Sequence, residues 1–155
     1  MSLTQYVYFA LSSERTTTDE ITRFLGIEPD ETRVRGSRST SPVTVPSCHR
    51  WKIVCRDREL RVDEQVSRVV GRLQPHTEAI ARLAGRLTAE EGPGSAVLQV
   101  VRYFNDGGPE EELLRPADGP NLFGWHLDRG VLEFLTVTGA ELDVDEYDMT
   151  AQEEA

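Results

Sequence analysis

Tyr6-Val7-Tyr8-Phe9-Ala10-Leu11, then Thr17-Thr18-Asp19-Glu20-Ile21, then Leu25-Gly26-Ile27: these residues decide the fold. The first six are apolar or aromatic at nearly every position, as in a strand at the middle of a sheet. Thr17 and Glu20 have the Thr-x-x-Glu spacing of a capping box, so a helix starts there, with Ile21, Phe24 and Leu25 as its apolar stripe. Gly26 closes the helix as a left-handed cap does, and Ile27, Pro29 and Thr32 to Arg35 lead into a second strand.

The same order returns near the C-terminus. Ser95 to Phe104 is a long apolar strand, Asp128 is placed to cap a helix with the stripe Val131, Leu132, Leu135 and Val137, and Gly139 closes it. Leu142, Val144, Tyr147 and Met149 then make a last strand. Tyr6 to Val34 and Val97 to Tyr147 are therefore two versions of one strand, helix, glycine, strand unit. The first leads into an arginine-bearing strand and the second into an acidic one.

Between the two versions, Cys48 to Cys55 alternates, with Trp51, Ile53 and Cys55 on one face and Arg50, Lys52 and Val54 on the other. Val62 to Leu73 and Thr77 to Leu87 have helical spacing, and Pro75 between them breaks or bends the run. Tyr6 to Phe104 thus spells β-α-β-β-α-β, the ferredoxin-like order. It predicts an α+β two-layer sandwich with the helices on one face of the sheet, extended by the C-terminal helix and strand. Residues 1–150 form one domain on this reading, and 151–155 are a disordered acidic tail. Gly36 to Ser47 and Asn105 to Asn121 read as surface loops, and Phe123 to His126 as a short strand-like step.

A chain of 155 residues suits a single core. Its apolar runs are too short to cross a bilayer, and no basic N-terminal region precedes one, so the expectation is a soluble, cytoplasmic protein with no membrane partner. Cys48 and Cys55 lie seven residues apart in one strand, ~23 Å at ~3.3 Å per residue, too far to bridge each other. The net charge of −10 is uneven. Residues 31–61 hold eight bases against three acids, a balance of +5, which leaves −15 for the remainder. Such an acidic body argues against a nucleic-acid partner, while the basic segment is suited to an anion or an acidic protein.

The order of these pieces resembles a known family. Tyr6 to Leu11, the helix ending in Leu25-Gly26-Ile27-Glu28-Pro29, Thr32 with Arg35-Gly36, and Trp51 are similar to the bacterial domain of unknown function 4279. Gly124-Trp125-His126-Leu127 and Gly139 to Tyr147 resemble that family's ending. The resemblance covers most of the chain and implies no particular activity.

Several groups invite a chemical reading. Cys48, His49, Cys55 and His126 are zinc-ligand types, but adjacent Cys48 and His49 point to opposite faces of a strand and no close ligand pair is present, so no metal is expected. His126 has Asp128 nearby but no nucleophile and no orienting group in the sequence, so no catalytic residue is assigned and the balance is against an enzyme. Asp143, Asp145, Glu146 and Asp148 lack the glycine turn of a calcium loop and suit a solvated edge strand. Arg33, Arg35, Arg50 and Lys52 can share a patch near Trp51, with His126 as a further ligand-binding candidate. The leading expectation is a non-catalytic protein-binding module, regulatory or immunity-like, that needs no cofactor and exists as a monomer or homodimer. The alternative is a binder or enzyme for a small anionic molecule at the basic strands.

Overall fold

A computed structural model describes residues 3–37, 45–105 and 123–150. The elements run β1 (Leu3–Ser13), α1 (Thr18–Leu25), β2 (Glu31–Arg33), β3 (His49–Cys55), α2 (Val62–Leu73), a 3-10 turn (Gln74–His76), α3 (Thr77–Glu91), β4 (Ala96–Phe104), α4 (Arg129–Thr138) and β5 (Glu141–Asp148). The architecture is α+β, with a five-stranded mixed sheet in the order β2-β3-β1-β4-β5. β1 pairs antiparallel with β3 and with β4, β2 pairs antiparallel with β3, and β5 joins β4 in parallel. The apolar hexapeptide thus occupies the central strand.

Local chemistry sets the helix ends. Thr17 Oγ1 accepts from the Glu20 amide at 3.2 Å while the Glu20 carboxylate accepts from the Thr17 amide at 2.9 Å, closing the capping box. Gly26 (φ +72°) and Gly139 (φ +70°) end α1 and α4 in the left-handed region, which a side chain would strain. Asp128 Oδ1 accepts from the Val131 amide at 2.9 Å and starts α4. At Pro75 the chain tightens into the 3-10 turn, which separates α2 from α3.

The helices pack on one face of the sheet. Val7, Phe9 and Leu11 of β1, Trp51, Ile53 and Cys55 of β3, and Ala96, Leu98 and Val100 of β4 form one buried cluster with Ile21, Leu73, Ile80, Leu83, Leu87 and Phe134. Phe9 meets Phe134 edge-on, with ring centroids 5.7 Å apart. Two expected stripes need correction. In α1 the buried face is Thr18, Ile21 and Leu25, which leaves Phe24 exposed. In α4 it is Val131, Phe134, Leu135 and Thr138, so Leu132 and Val137 face outward. Residues 123–128 form no strand. The expected loops fall largely on residues 38–44 and 106–122, outside the described residues, as does the 151–155 tail.

The two echoing units lie in one sheet but are not equivalent. In the second, β4 and β5 are direct parallel neighbours; in the first, β3 sits between β1 and β2. The arginine-bearing strand and the acidic strand therefore end up at opposite edges.

Candidate binding face

Pairing register dictates what the other face of the sheet presents. With Val7, Phe9 and Leu11 turned toward the helices, Tyr6, Tyr8, Ala10 and Ser12 point the other way, and the partners in register with them do the same. β3 contributes Arg50, Lys52 and Val54. β4 contributes Val97, Gln99, Val101 and Tyr103, opposite Glu141, Asp143, Asp145 and Tyr147 of β5. Glu31 and Arg33 of β2 complete the row. No described helix covers this face.

Its centre is a second apolar cluster: Tyr8, Ala10 and Val101, with Tyr6, Val54, Val97 and Tyr103 packed around them. The chain contains four tyrosines, and Tyr6, Tyr8, Tyr103 and Tyr147 all stand here. Tyr6 stacks on Tyr8 with centroids 6.1 Å apart, and Tyr103 on Tyr147 at 5.2 Å. Burial raises the Tyr8 hydroxyl above its ordinary value even though the Arg50 charge opposes that rise. Tyr103 is raised as well, by desolvation and by neighbouring Tyr6.

Charge is sorted across the face. On the β2–β3 side, Arg50 Nε donates to Ser12 Oγ at 3.1 Å, and the Arg56 guanidinium lies 4.2 Å from the Tyr6 ring centroid while pairing with Glu31 at 2.9 Å. Lys52 Nζ sits 4.1 Å from the Tyr8 ring centroid. The Lys52 side chain is 8 % exposed, and among the described residues no carboxylate pairs with its ammonium. Desolvation first, and the charges of Arg50 and Arg33 next, pull its pKa down to about 8. On the β5 side the face ends in Glu141, Asp143 and Asp145, and Gln99 Nε2 donates to Asp145 Oδ2 at 3.1 Å.

The structure separates the residues expected to act together. Arg33, Arg50 and Lys52 share this face. Arg35 lies past the end of β2, where its amide donates to His49 Nδ1 and its guanidinium donates to the Glu14 carbonyl, both at 3.1 Å. Trp51 is not beside the bases: strand alternation turns it into the core, fully buried, with Nε1 donating to Thr22 Oγ1 at 3.1 Å. His126 is elsewhere again. Its Nδ1 lies 3.1 Å from Asp63 Oδ2 in the first turn of α2, while Asp128 is engaged in the α4 cap. Among the described residues no cluster of three or more histidine, cysteine or acidic side chains is arranged to hold a metal ion. Cys48 and Cys55 are free thiols. Hollows are lined by Ser13, Glu14, Cys48 and Glu91, by Arg15, Glu20, Phe24 and Arg86, and by Leu60, Asp63, Glu64 and His126.

The tyrosine face itself was legible in part. Tyr6 and Tyr8 are two residues apart and so must share a face opposite Val7 and Phe9. That Tyr103 and Tyr147 join them depends on the β4–β5 register, which no local pattern encodes.

Fold and site together define a two-layer α+β domain with one helix-covered sheet face and one tyrosine-lined, charge-sorted face. The chain belongs to the DUF4279 family: the model of that family, described as a domain of unknown function, matches residues 3–149. No curated protein and no solved structure matches it.

Proposed function

We propose that this protein is a non-catalytic binding module that grips a protein partner with the helix-free face of its sheet. The observation that carries this reading is the gathering of all four tyrosines on that face, around an apolar centre with charge on both sides. Tyrosine buries a large rigid surface at low entropic cost and keeps a polar tip, which is why it dominates binding hot spots. Among the described residues no nucleophile, base and orienter converge here, and His126 is paired with Asp63 of α2 instead. The β1 to β4 part is read as ferredoxin-like, supported by its fully antiparallel β2-β3-β1-β4 order. A reducing, cytoplasmic setting is supported by the two free thiols. The test is capture from native lysate with wild type and with the Tyr103→Ser, Tyr147→Ser double variant. A stoichiometric partner held by wild type and lost by the folded variant supports the reading, and a partner held equally by both contradicts it.

One observation favours a small anion as a second reading: the Lys52 ammonium has Arg33 and Arg50 as neighbours, and among the described residues no carboxylate forms an ion pair with it, although the Glu31 charge acts on it. A thermal-shift screen of phosphorylated and carboxylate compounds tests it. Stabilisation that disappears in Lys52→Met supports it, and no stabilisation by any compound removes it.

A further inference from the structure

The α1 helix turns Glu20, Arg23 and Phe24 to one side, since residues three and four apart in a helix are neighbours on its surface. That side borders a hollow of about 620 Å³, which Arg15 and Thr16 of the turn after β1 and Arg86 of α3 complete. Phe24, the apolar residue that α1 leaves 46 % exposed, is thus a wall of this hollow. Three of the six lining residues are arginines, in a chain whose net charge is −10. From this grouping we infer that the hollow binds a small phosphorylated molecule carrying an aromatic ring, with the phosphoryl group on Arg15, Arg23 and Arg86 and the ring on Phe24. The site belongs to the helix layer and does not depend on the tyrosine face.

The charges around the hollow are disposed for an anion. Among the described residues no carboxylate forms an ion pair with Arg15 or Arg23. Arg86 is held from two sides: Nη2 donates to Thr16 Oγ1 at 3.5 Å, and Nε lies 3.8 Å from Glu90 Oε1. Thr16 is itself fixed, buried and with its amide donating to Ser13 Oγ at 2.8 Å. The pair with Glu90 is exposed on both sides and therefore weak, so a phosphoryl group with two charges displaces the single carboxylate. Glu20 is the one acid of the lining, and its carboxylate is engaged by the Thr17 amide in the capping box. Three guanidinium groups less that carboxylate leave +2, which matches a phosphoryl dianion. Guanidinium forks meet phosphate oxygens two at a time, and the phenyl ring of Phe24 offers a flat apolar surface to a second ring. The volume falls within the ~300–1,000 Å³ of small-molecule sites. All three arginines are exposed, so salt weakens the binding.

The experiment is isothermal titration calorimetry of the full chain at low salt with ADP, phosphotyrosine, inorganic phosphate and adenosine, on wild type, Arg23→Gln, Phe24→Ser and Lys52→Met. Arg23 and Phe24 are exposed, so these two variants keep the fold, which their urea midpoints verify. The expected result is that ADP or phosphotyrosine binds, inorganic phosphate binds more weakly and adenosine does not bind. The tighter of the first two identifies the source of the ring and its phosphoryl group. Arg23→Gln should weaken that binding about tenfold. Phe24→Ser should weaken it about fivefold while leaving inorganic phosphate unchanged. Lys52→Met should change nothing, which separates this hollow from the basic strands. Failure of both ADP and phosphotyrosine to bind overturns the inference, and so does binding that is indifferent to Arg23→Gln or lost in Lys52→Met. Equal affinity of wild type and Phe24→Ser for the bound compound overturns it as well, because the ring then lies elsewhere.

Discussion

Lys52 is the only lysine of the chain and is 8 % exposed, beside Arg33 and Arg50 and over the Tyr8 ring, and among the described residues no carboxylate forms an ion pair with it. Its ammonium is therefore a cost to the folded state that Lys52→Met removes while keeping an unbranched stem of similar length. The pKa falls from 10.5 to about 8. At about 1.4 kcal/mol per unit that depression corresponds to at most ~3 kcal/mol at neutral pH. Partial hydration of the ammonium and its contact with Tyr8 reduce it, so the variant should gain about 1–2 kcal/mol, or a Tm rise of roughly 2–8 °C for a chain of this size. The pH dependence fixes the sign. Above about 8 the folded lysine is neutral while the unfolded one still holds its proton up to 10.5, so wild-type stability should rise with pH across that window. Tyr8 and Tyr103, raised above 10.0, act oppositely at higher pH because the unfolded hydroxyls ionise first. The interval from 8 to 10 thus isolates Lys52. The assay is urea unfolding at several pH values and about 1 µM protein, to keep association out of the measurement. The single lysine also gives one side-chain ¹³Cε resonance whose titration reads the pKa directly. A midpoint near 10.5, or a destabilised Lys52→Met with an unchanged alkaline profile, would refute the reasoning.

Other perturbations follow from named contacts. Thr17→Ala removes the acceptor for the Glu20 amide and should cost ~1 kcal/mol in urea unfolding, whereas Thr17→Ser should be close to neutral. Trp51→Ala empties a fully buried site and orphans Thr22 Oγ1, for an expected loss of ~3–5 kcal/mol or failure to fold; Trp51→Phe should keep the fold and lose less. Asp30 takes two bonds from Arg72, at 2.6 and 3.1 Å, and one from the Val54 amide at 2.7 Å. Desolvation pushes its carboxyl up, but these bonds outweigh it and hold the pKa below the ordinary value. Its contribution is thus complete above the unfolded carboxyl range and fades as pH falls through the folded one. Asp30→Asn should cost ~1 kcal/mol at pH 7 and flatten the acid side of the stability profile.

What the sequence disclosed depends on the range of the interaction. Thr17 with Glu20, Gly26, Asp128 and Gly139 act within one turn of chain, and each end they predicted is where the helix starts or stops. The β3 alternation was equally readable, since Trp51 and Lys52 must oppose each other. The grouping of Trp51 with the bases failed for that very reason: residues adjacent in a strand cannot share a face. The α1 and α4 stripes failed at Phe24 and Leu132 because several registers of a short helix are similarly apolar, and tertiary packing chose among them. His126 was read with Asp128, its sequence neighbour, whereas the carboxylate beside it is Asp63, 63 residues away in the chain. The tyrosine face arises from β1, β4 and β5 together, and only their pairing assembles it.

Tyrosine-labelled NMR tests the central claim most directly. The chain has four tyrosines, all on the helix-free face, and Trp51 on the opposite one, so each ring signal reports on one side of the sheet. Spectra recorded without and with a captured partner should show the tyrosine rings shifting or becoming shielded from a paramagnetic cosolute while the Trp51 indole signal stays fixed. Association that leaves all four tyrosines unchanged would contradict the account, because binding would then use another surface.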